Sequence, residues 1–184
     1  ITYRIREALK KIVPDFKAEV VYDICHNIAK FEKHKVEGER NSSMLDQVEE
    51  RRMLIVRKGA TRSFGLNRKE LPEKYQKTGQ PIFIPGSMGT SSYVLVGTKK
   101  AEEISLASTA HGAGRRLSRT AAKQQITQEN LKKELESQGI LLKAGSIKGA
   151  LEEAPQAYKD VDEVVRVSHE VGIGNLVAKM KPMI

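Results

Sequence analysis

One histidine lies between small residues and is followed by a cluster of arginines in residues 108–119. His111 carries imidazole, the side chain whose unperturbed pKa lies nearest neutrality. Gly112 and Gly114, which flank Ala113, let backbone amides approach an anion without a Cβ in the way. Planar guanidinium groups suit phosphate, and the segment supplies Arg115, Arg116 and Arg119. The pattern predicts a phosphate pocket that contains a nucleophile or a proton carrier.

A loop rich in glycine and hydroxyl side chains, residues 85–93, is the second chemical feature. Gly86 and Gly89 again leave backbone amides accessible, and hydroxyl groups can both donate and accept. The hydroxyl residues are Ser87, Thr90, Ser91 and Ser92. Turn formation explains serine in such a loop as well as ligand binding does. Likewise, an isolated histidine in a turn usually only forms hydrogen bonds with backbone groups. A chemical role for His111 is therefore indicated by its neighbours and not by the histidine alone.

Five blocks, taken in order along the chain, resemble the RtcB family of GTP- and manganese-dependent RNA-splicing ligases. The blocks are residues 22–30, 57–62, 85–93, 108–119 and 152–158, and the similarity extends from about residue 20 to residue 182. The family's upstream Asp-…-Cys-Gly, Gly-Asn-His-Phe and His-Ser-Gly-Ser-Arg blocks have no visible counterpart, nor has its C-terminal Lys-Gly. We therefore expect residues 1–184 to form the C-terminal portion of a single RtcB-like catalytic domain.

The resemblance implies that His111 is the nucleophile that takes GMP from GTP. A neutral imidazole would attack the α-phosphate, pyrophosphate would leave, and a P–N bond would store the activation. Glycine amides and arginines would stabilise the charge on the phosphoryl oxygens. The residues themselves leave a second role open for the same side chain, that of a general base.

The resemblance also implies a guanine-nucleotide site. Ser92 would contact the base and Tyr158 would stack on it, although a tyrosine at a helix edge is otherwise an ordinary half-buried residue. The family's final lysine, which helps to select guanine, has no counterpart here. The implied nucleotide-binding residues are His26, Asn27, Pro85, Gly86, Ser87, Met88, Ser92, His111, Gly112, Ala113, Gly114 and Tyr158.

His26 is implied as a manganese ligand, and imidazole suits that metal. One histidine cannot hold a metal alone, and the chain does not visibly supply the remaining ligands. Cys25 is expected to be a small buried apolar residue, as free cysteines usually are. His34 and His169 are interpreted as surface or packing residues.

The chain is strongly basic, with 32 Lys and Arg against 23 Asp and Glu and a net charge of +9. This balance favours a polyanionic partner such as RNA, the alternative being a surface charged for solubility. Aromatic residues make up only 5% and tryptophan is absent, which disfavours modules that stack single-stranded bases. The basic residues that suit RNA are Arg57, Lys58, Arg62, Arg115 and Arg119.

Together these features predict an RNA ligase that joins a 2′,3′-cyclic phosphate or 3′-phosphate end to a 5′-hydroxyl end. The resemblance implies that this ligation serves tRNA splicing and RNA repair. GTP and Mn²⁺ would be the cofactors, and tRNA exon halves or broken RNA the substrates. A protein activator is a further partner that the family allows. The alternative is a non-catalytic fragment that binds nucleotide or RNA but lacks the upstream metal ligands, and a third option is another nucleotidyltransferase.

Composition also indicates where the protein works. No apolar run approaches the roughly 20 residues that span a bilayer, and no secretory segment precedes the first block. The single cysteine, Cys25, cannot form an internal disulfide, which fits a reducing compartment. We expect a cytoplasmic protein with no membrane partner.

The elements that must position these groups follow from hydrophobic periodicity and capping signals. Helices are predicted over residues 2–12, 115–125, 128–138 and 161–169, with Thr127 and Asp160 as N-caps and Gly139 and Gly172 as terminators. Asp160 and Glu163 resemble a capping box, and the helix after residue 114 is expected to aim its N-terminus at the pocket.

Strands are predicted over residues 19–24, 82–84, 93–96, 140–144 and 176–180. A hairpin is predicted from residues 28–37 and 52–57, with Gly38 near its turn and a flexible tip at about 40–50. Residues 63–80 are predicted as loop and short helix. Without a βαβ rhythm the fold class is α+β, with mixed or antiparallel strands and flanking helices. The resemblance implies part of an RtcB-like fold.

Overall fold

The computed structural model describes residues 1–37 and 48–182. Its helices are α1 (Thr2–Lys10), α2 (Glu73–Gln76), α3 (Lys99–Ser105), α4 (Arg119–Gln125), α5 (Gln128–Ser137), α6 (Ile147–Glu152) and α7 (Val161–Glu170). Its strands are β1 (Asn27–Glu37), β2 (Val48–Lys58), β3 (Ala60–Arg62), β4 (Pro81–Ile84), β5 (Ser92–Gly97), β6 (Ser108–Ala110) and β7 (Gly174–Met180). A 3₁₀ turn lies at Pro155–Ala157.

The strands form three small antiparallel sheets. β1 pairs with β2, β3 pairs with β6, and β5 lies between β4 and β7. Helices flank these sheets rather than alternating with parallel strands, because each strand pair is antiparallel and needs no crossover helix. The α+β prediction, with antiparallel strands and flanking helices, is confirmed.

The hydrophobic core is divided among the sheets and helices. Beneath the three-stranded sheet, Ile84 and Leu95 are fully buried and pack with Val161 and Val165 of α7. A second cluster joins α4, α5, α6 and the 3₁₀ turn, with Leu135 fully buried at its centre. The first cluster contains Ile84 and Tyr93, which flank the glycine- and serine-rich loop, and Met88 of that loop packs on the second cluster. The loop between β4 and β5 therefore rests on packed structure.

Local capping signals predicted two helices well. The Thr127 hydroxyl accepts from the amide of Asn130, and Gly139 follows α5 with a φ of +72°. The Asp160 carboxylate accepts from the amide of Asp162, and Gly172 follows α7 with a φ of +84°. The capping box is only half formed, because the Glu163 carboxylate pairs with Arg166 instead.

Two predicted strands are wrong, and one predicted helix starts late. Residues 19–24 pair with no described strand, and the carbonyl of Val21 accepts a hydrogen bond from the Tyr75 hydroxyl instead. Residues 140–144 form no strand, because Ile140 and Leu142 pack on the helical cluster. The helix predicted from residue 115 begins at Arg119, and Arg115 forms a β-bridge with Tyr158.

The hairpin is confirmed by the β1–β2 pairing, which runs from Asn27 opposite Lys58 to Glu37 opposite Val48. Its predicted turn at Gly38 and most of its predicted tip lie outside the described residues. Residues 48–50, assigned to the tip, belong to β2. Among the described helices, none is long and apolar enough to cross a membrane.

Candidate active site

Two histidines lie face to face at the junction of the small sheets. The rings of His26 and His111 are stacked, with centroids 5.1 Å apart and planes inclined by 14°. His26 directly precedes β1 and His111 directly follows β6. Ala60 on β3 pairs with Ala110 on β6, the residue directly before His111. The turn between β2 and β3 therefore also helps to position His111.

Gly59 connects the two histidine positions. Its amide donates to the carbonyl of His26 at 3.2 Å, and its φ of +72° turns the chain from β2 into β3. A side chain at this φ would be strained. A Cβ on Gly59 would also lie 3.7 Å from the His111 ring, so glycine both makes the turn and leaves space beside the imidazole.

The surroundings of His111 favour its neutral form. Burial lowers the pKa of His111 because desolvation disfavours the imidazolium, and the charge of neighbouring His26 lowers it further. A neutral imidazole keeps one ring nitrogen lone pair free, which is what a nucleophile or a general base requires.

His111 lines a pocket of about 440 Å³ between the glycine- and serine-rich loop and the segment after β6. The structure brings most of the predicted nucleotide residues to this wall: Pro85, Gly86, Ser87, Met88, His111, Gly112, Ala113, Gly114 and Tyr158. Sequence reasoning missed the further lining residues Thr90, Glu153 and Lys159. The hydroxyl of Thr90 and the Glu-Glu pair at 152–153 were the sequence features that could have indicated two of these lining residues.

Three predicted nucleotide residues do not line this pocket. His26 lies on the far side of His111, and Asn27 begins β1. Ser92 begins β5, and its hydroxyl accepts from the amide of Gly86 at 3.0 Å. That bond makes Ser92 a support of the loop.

The loop itself is closed by short hydrogen bonds. The amide of Ser87 donates to the Thr90 hydroxyl at 2.7 Å, and the amide of Thr90 donates to the Ser87 carbonyl at 3.1 Å. The Ser87 hydroxyl oxygen is buried and has no hydrogen-bond partner among the described residues. A buried hydroxyl without a partner costs free energy unless a ligand or water meets it, so this wall suits a polar ligand.

Tyr158 is held firmly at the opposite wall. Its hydroxyl donates to the Glu153 carboxylate, and the Arg115 guanidinium donates to that hydroxyl at 3.1 Å while lying 4.9 Å from the ring centroid. Burial and the Glu153 carboxylate raise the pKa of Tyr158. Arg115 also donates to the carbonyls of Leu117 and Glu152. Arg115 thus lies against Tyr158 on the pocket wall with most of its donors engaged, and its contact with RNA stays a prediction.

Arg57 requires the clearest correction. It is only 2% exposed, and its guanidinium forms a two-pronged ion pair with Glu32 at 2.8 Å. Arg62 is half-buried and donates to Gln80 and Tyr22. Among the predicted RNA-binding residues, exposed cations remain at Lys58 and at Arg119, whose side chain is 69% exposed at the pocket rim.

A second, mainly apolar pocket of about 660 Å³ lies on the other side of the histidines. It shares Pro85 and His111 with the first pocket and adds His26. Tyr22 and Ile24 also line it, so the alternation that predicted a strand over residues 19–24 marks a pocket wall instead.

The described residues do not complete a metal site. No group of three or more histidine, cysteine, aspartate or glutamate side chains among residues 1–37 and 48–182 is arranged to hold a metal ion. Cys25 is exposed, so the prediction that it is buried is wrong. His26 with its single imidazole does not by itself fit the manganese that the resemblance implies.

Comparisons with known proteins agree with the motif order. A family model described as tRNA-splicing ligase RtcB matches residues 1–184. Curated proteins named tRNA-splicing ligase RtcB are similar over the whole chain: 46% identity with that of Nanoarchaeum equitans, 47% with that of Archaeoglobus fulgidus and 45% with that of Thermococcus kodakarensis. The chain spans 37% of the length of each of these three relatives.

Proposed function

This chain belongs to the RtcB family, and on that premise we propose that it forms part of an RNA ligase that acts through a histidine–GMP intermediate. The ligase joins an RNA 2′,3′-cyclic phosphate or 3′-phosphate end to a 5′-hydroxyl end, in tRNA splicing and RNA repair. The observation that carries the proposal is the placement of His111 on the wall of the pocket formed by the Pro85–Thr90 loop and residues 112–115.

In the first step, a ring nitrogen of His111 attacks the α-phosphate of GTP. A P–N bond forms, the P–O bond to pyrophosphate breaks, and the imidazole loses its proton to solvent. The Ser87 hydroxyl, which lacks a partner among the described residues, and the amides of residues 112–114 are the groups we propose for the phosphate oxygens. Tyr158 stacks on guanine.

In the second step, a 3′-phosphate oxygen of the RNA attacks the same phosphorus, which releases His111 and leaves GMP on the RNA end. The 5′-hydroxyl of the other RNA end then attacks the RNA phosphate, a phosphodiester forms, and GMP leaves. A 2′,3′-cyclic phosphate end is first hydrolysed to the 3′-phosphate. Manganese would neutralise phosphate charge when bound. His26 is the described residue that we propose as one ligand, and no step here is assigned to the metal.

The proposal is tested by incubating the protein, expressed with its natural flanking sequence, with Mn²⁺ and GTP labelled at the α- or the γ-phosphate. We expect covalent label from α-labelled GTP only, and the bond should be labile to acid and stable to alkali, as a P–N bond is. Transfer of the label to an RNA 3′-phosphate and joining to a 5′-hydroxyl RNA should follow. Joining of RNA without labelled protein would contradict the histidine–GMP route.

Two observations favour a second candidate, a non-catalytic nucleotide- or RNA-binding unit. The described residues lack a group of metal-binding side chains, and the chain spans 37% of its relatives' length. The same assay separates the two candidates, since a binding unit would retain GTP reversibly and yield no covalent label.

Replacing Gly86 with alanine is expected to weaken GTP binding at least about tenfold. A Cβ on Gly86 would lie 2.2 Å from the carbonyl oxygen of Ser91, so the loop backbone has to move away from the pocket. Titration with a fluorescent GTP analogue measures the dissociation constant. Gly145→Ala is the control, because its Cβ meets no atom within 4 Å, and an unchanged affinity in Gly86→Ala would remove this loop from the nucleotide site.

Replacing Arg119 with alanine is expected to slow RNA joining by roughly tenfold while protein labelling changes by less than about threefold. Its guanidinium is exposed and lies 3.5 Å from Glu152. We propose that it contacts an RNA phosphate, a charge-assisted contact worth about one order of magnitude. Single-turnover rates for the two steps provide the measurement. Arg166→Ala, at an exposed position of α7, is the control, and an equal loss in both steps would assign Arg119 to GTP instead.

A further inference from the structure

We infer that Arg57 is a positioning residue for the paired histidines. Its buried guanidinium ties the strand that follows His26 to the strand that precedes His111, and so sets how the two imidazoles face each other. The catalytic meaning of that arrangement rests on the proposed function, whereas the arrangement itself is read from the structure.

The guanidinium uses all three of its nitrogens, which fixes it in direction as well as in place. Nη1 and Nη2 each donate to one carboxylate oxygen of Glu32 at 2.8 Å. Nε donates to the Ser108 hydroxyl at 2.9 Å. Nη2 also donates to the carbonyls of Leu106 and Ala107, at 2.9 and 3.2 Å. The guanidinium is therefore bound to the hairpin through Nη1 and Nη2, and to the segment entering β6 through Nε and Nη2.

Glu32 and Ser108 lie on the two strands that adjoin the histidines, β1 after His26 and β6 before His111. Glu32 is on β1, which begins directly after His26, and Arg57 is on β2 opposite Ile28. Ser108 is the first residue of β6, which ends directly before His111. Only three residues of β6 pair with β3, so β6 has few other contacts that fix its position. A shift of β6 would move His111, because His111 directly follows the strand.

The segment that enters β6 needs this support. Leu106 and Ala107 both have left-handed backbones, with φ of 50° and 51°, a conformation that costs free energy for residues other than glycine. Arg57 donates to both of their carbonyls. The guanidinium therefore stabilises the turn that sets the direction in which β6 leaves α3.

Glu32 is itself held in place. Its carboxylate is 3.0 Å from Nε2 of His34, whose side chain is fully buried. Burial raises the pKa of Glu32, but the hydrogen bonds from Arg57 and His34 outweigh it, and the pKa lies below its ordinary value. The carboxylate thus remains ionised and available to the guanidinium.

Arg57→Lys is the direct test, because an ammonium keeps the charge but cannot hold Glu32 at two points and reach β6 as well. We expect the single-turnover rate of labelling at saturating GTP to fall about 100-fold. The GTP concentration for half-maximal rate should change less than about threefold, since Arg57 is not on the nucleotide pocket wall. Arg51→Lys, an exposed residue of the same strand that pairs with Glu49, is the matched control.

Ser108→Ala provides a variant that leaves the Glu32–Arg57 pair intact. It removes the link from Nε to β6 and the 3.3 Å hydrogen bond from the Ser108 hydroxyl to the Leu106 carbonyl. The remaining contacts of the Arg57 guanidinium should retain the fold, as checked by circular dichroism. We expect the labelling rate to fall by roughly tenfold, again with half-maximal GTP nearly unchanged. If Arg57→Lys fails to fold, Ser108→Ala decides the question.

A readout independent of activity completes the test. The stacked rings of His26 and His111 shift each other's imidazole proton and nitrogen resonances, and both sets should move in Arg57→Lys and in Ser108→Ala but not in Arg51→Lys. Wild-type rates with unchanged imidazole resonances would overturn the positioning role and leave the proposed function standing. A change confined to half-maximal GTP would also overturn it. Should the wild-type protein not label, the proposed function fails, and the resonances alone decide the positioning.

Discussion

Replacing His111 with alanine is expected to abolish covalent labelling by GTP, lowering its rate by at least about 1,000-fold. The methyl group of alanine has no lone pair, so the P–N bond cannot form. The rest of the pocket wall is built from the loop at residues 85–90, from residues 112–115 and from Arg119, Glu153, Tyr158 and Lys159. Reversible GTP binding should therefore survive within about threefold. Autoradiography of denatured protein and a fluorescent-GTP titration measure the two quantities.

His169→Ala is the matched control for this substitution. His169 is exposed near the end of α7, and its ring nitrogen accepts only one long bond, 3.4 Å from the amide of Leu176. We expect it to label at the wild-type rate. Label on the His111→Ala protein would place the nucleophile on another side chain and would remove the central assumption of the proposed mechanism.

The sequence predicted best the features whose causes are local. Thr127 caps α5 and Gly139 ends it, because a hydroxyl acceptor and a left-handed residue act within one helical turn. The same holds for α7 between Asp160 and Gly172. The position of His111 beside the glycine- and serine-rich loop was also predicted, because glycine amides, hydroxyls and arginines in the two segments suit one phosphate pocket.

Features that depend on distant partners were not predictable in this way. The helix after residue 114 starts late because Arg115 pairs with Tyr158 and the amide of Arg116 donates to the carbonyl of Ala157. Ser118, which caps the true start of α4, was a visible signal.

The hairpin shows why Arg57 was assigned to RNA. Its burial pattern is inverted: polar Glu32, His34 and Arg57 are buried, whereas apolar residues such as Phe31 and Val56 are 63% and 68% exposed. Sequence patterns assign charged residues to the surface. That assignment fails where an ion pair and its hydrogen bonds allow charged side chains to be buried. The alternation of Glu32 with His34 on a strand was the only signal.

Breaking the buried ion pair between Glu32 and Arg57 is expected to destabilise the folded protein strongly. Replacing Glu32 with alanine is expected to lower the free energy of unfolding by about 3–5 kcal/mol. The Arg57 charge, 2% exposed, would be left with neutral acceptors only, and His34 would lose its partner. Chemical denaturation monitored by circular dichroism measures the change.

Glu50→Ala is the control for this loss, because Glu50 forms an exposed pair with Lys33 on the same hairpin. It should change the free energy of unfolding by less than about 1 kcal/mol.

Glu32→Gln, which keeps the shape of the side chain, separates the effect of its charge from the effect of its packing. Because the pKa of Glu32 lies below its ordinary value of 4.5 in the folded protein, ionised Glu32 contributes fully above pH 4.5. That contribution disappears as the pH falls through the folded-state pKa. The stability difference between wild type and Glu32→Gln should therefore shrink as the pH falls below 4.5. A difference that stays constant down to pH 3 would show that the charge of Glu32 does not stabilise the hairpin.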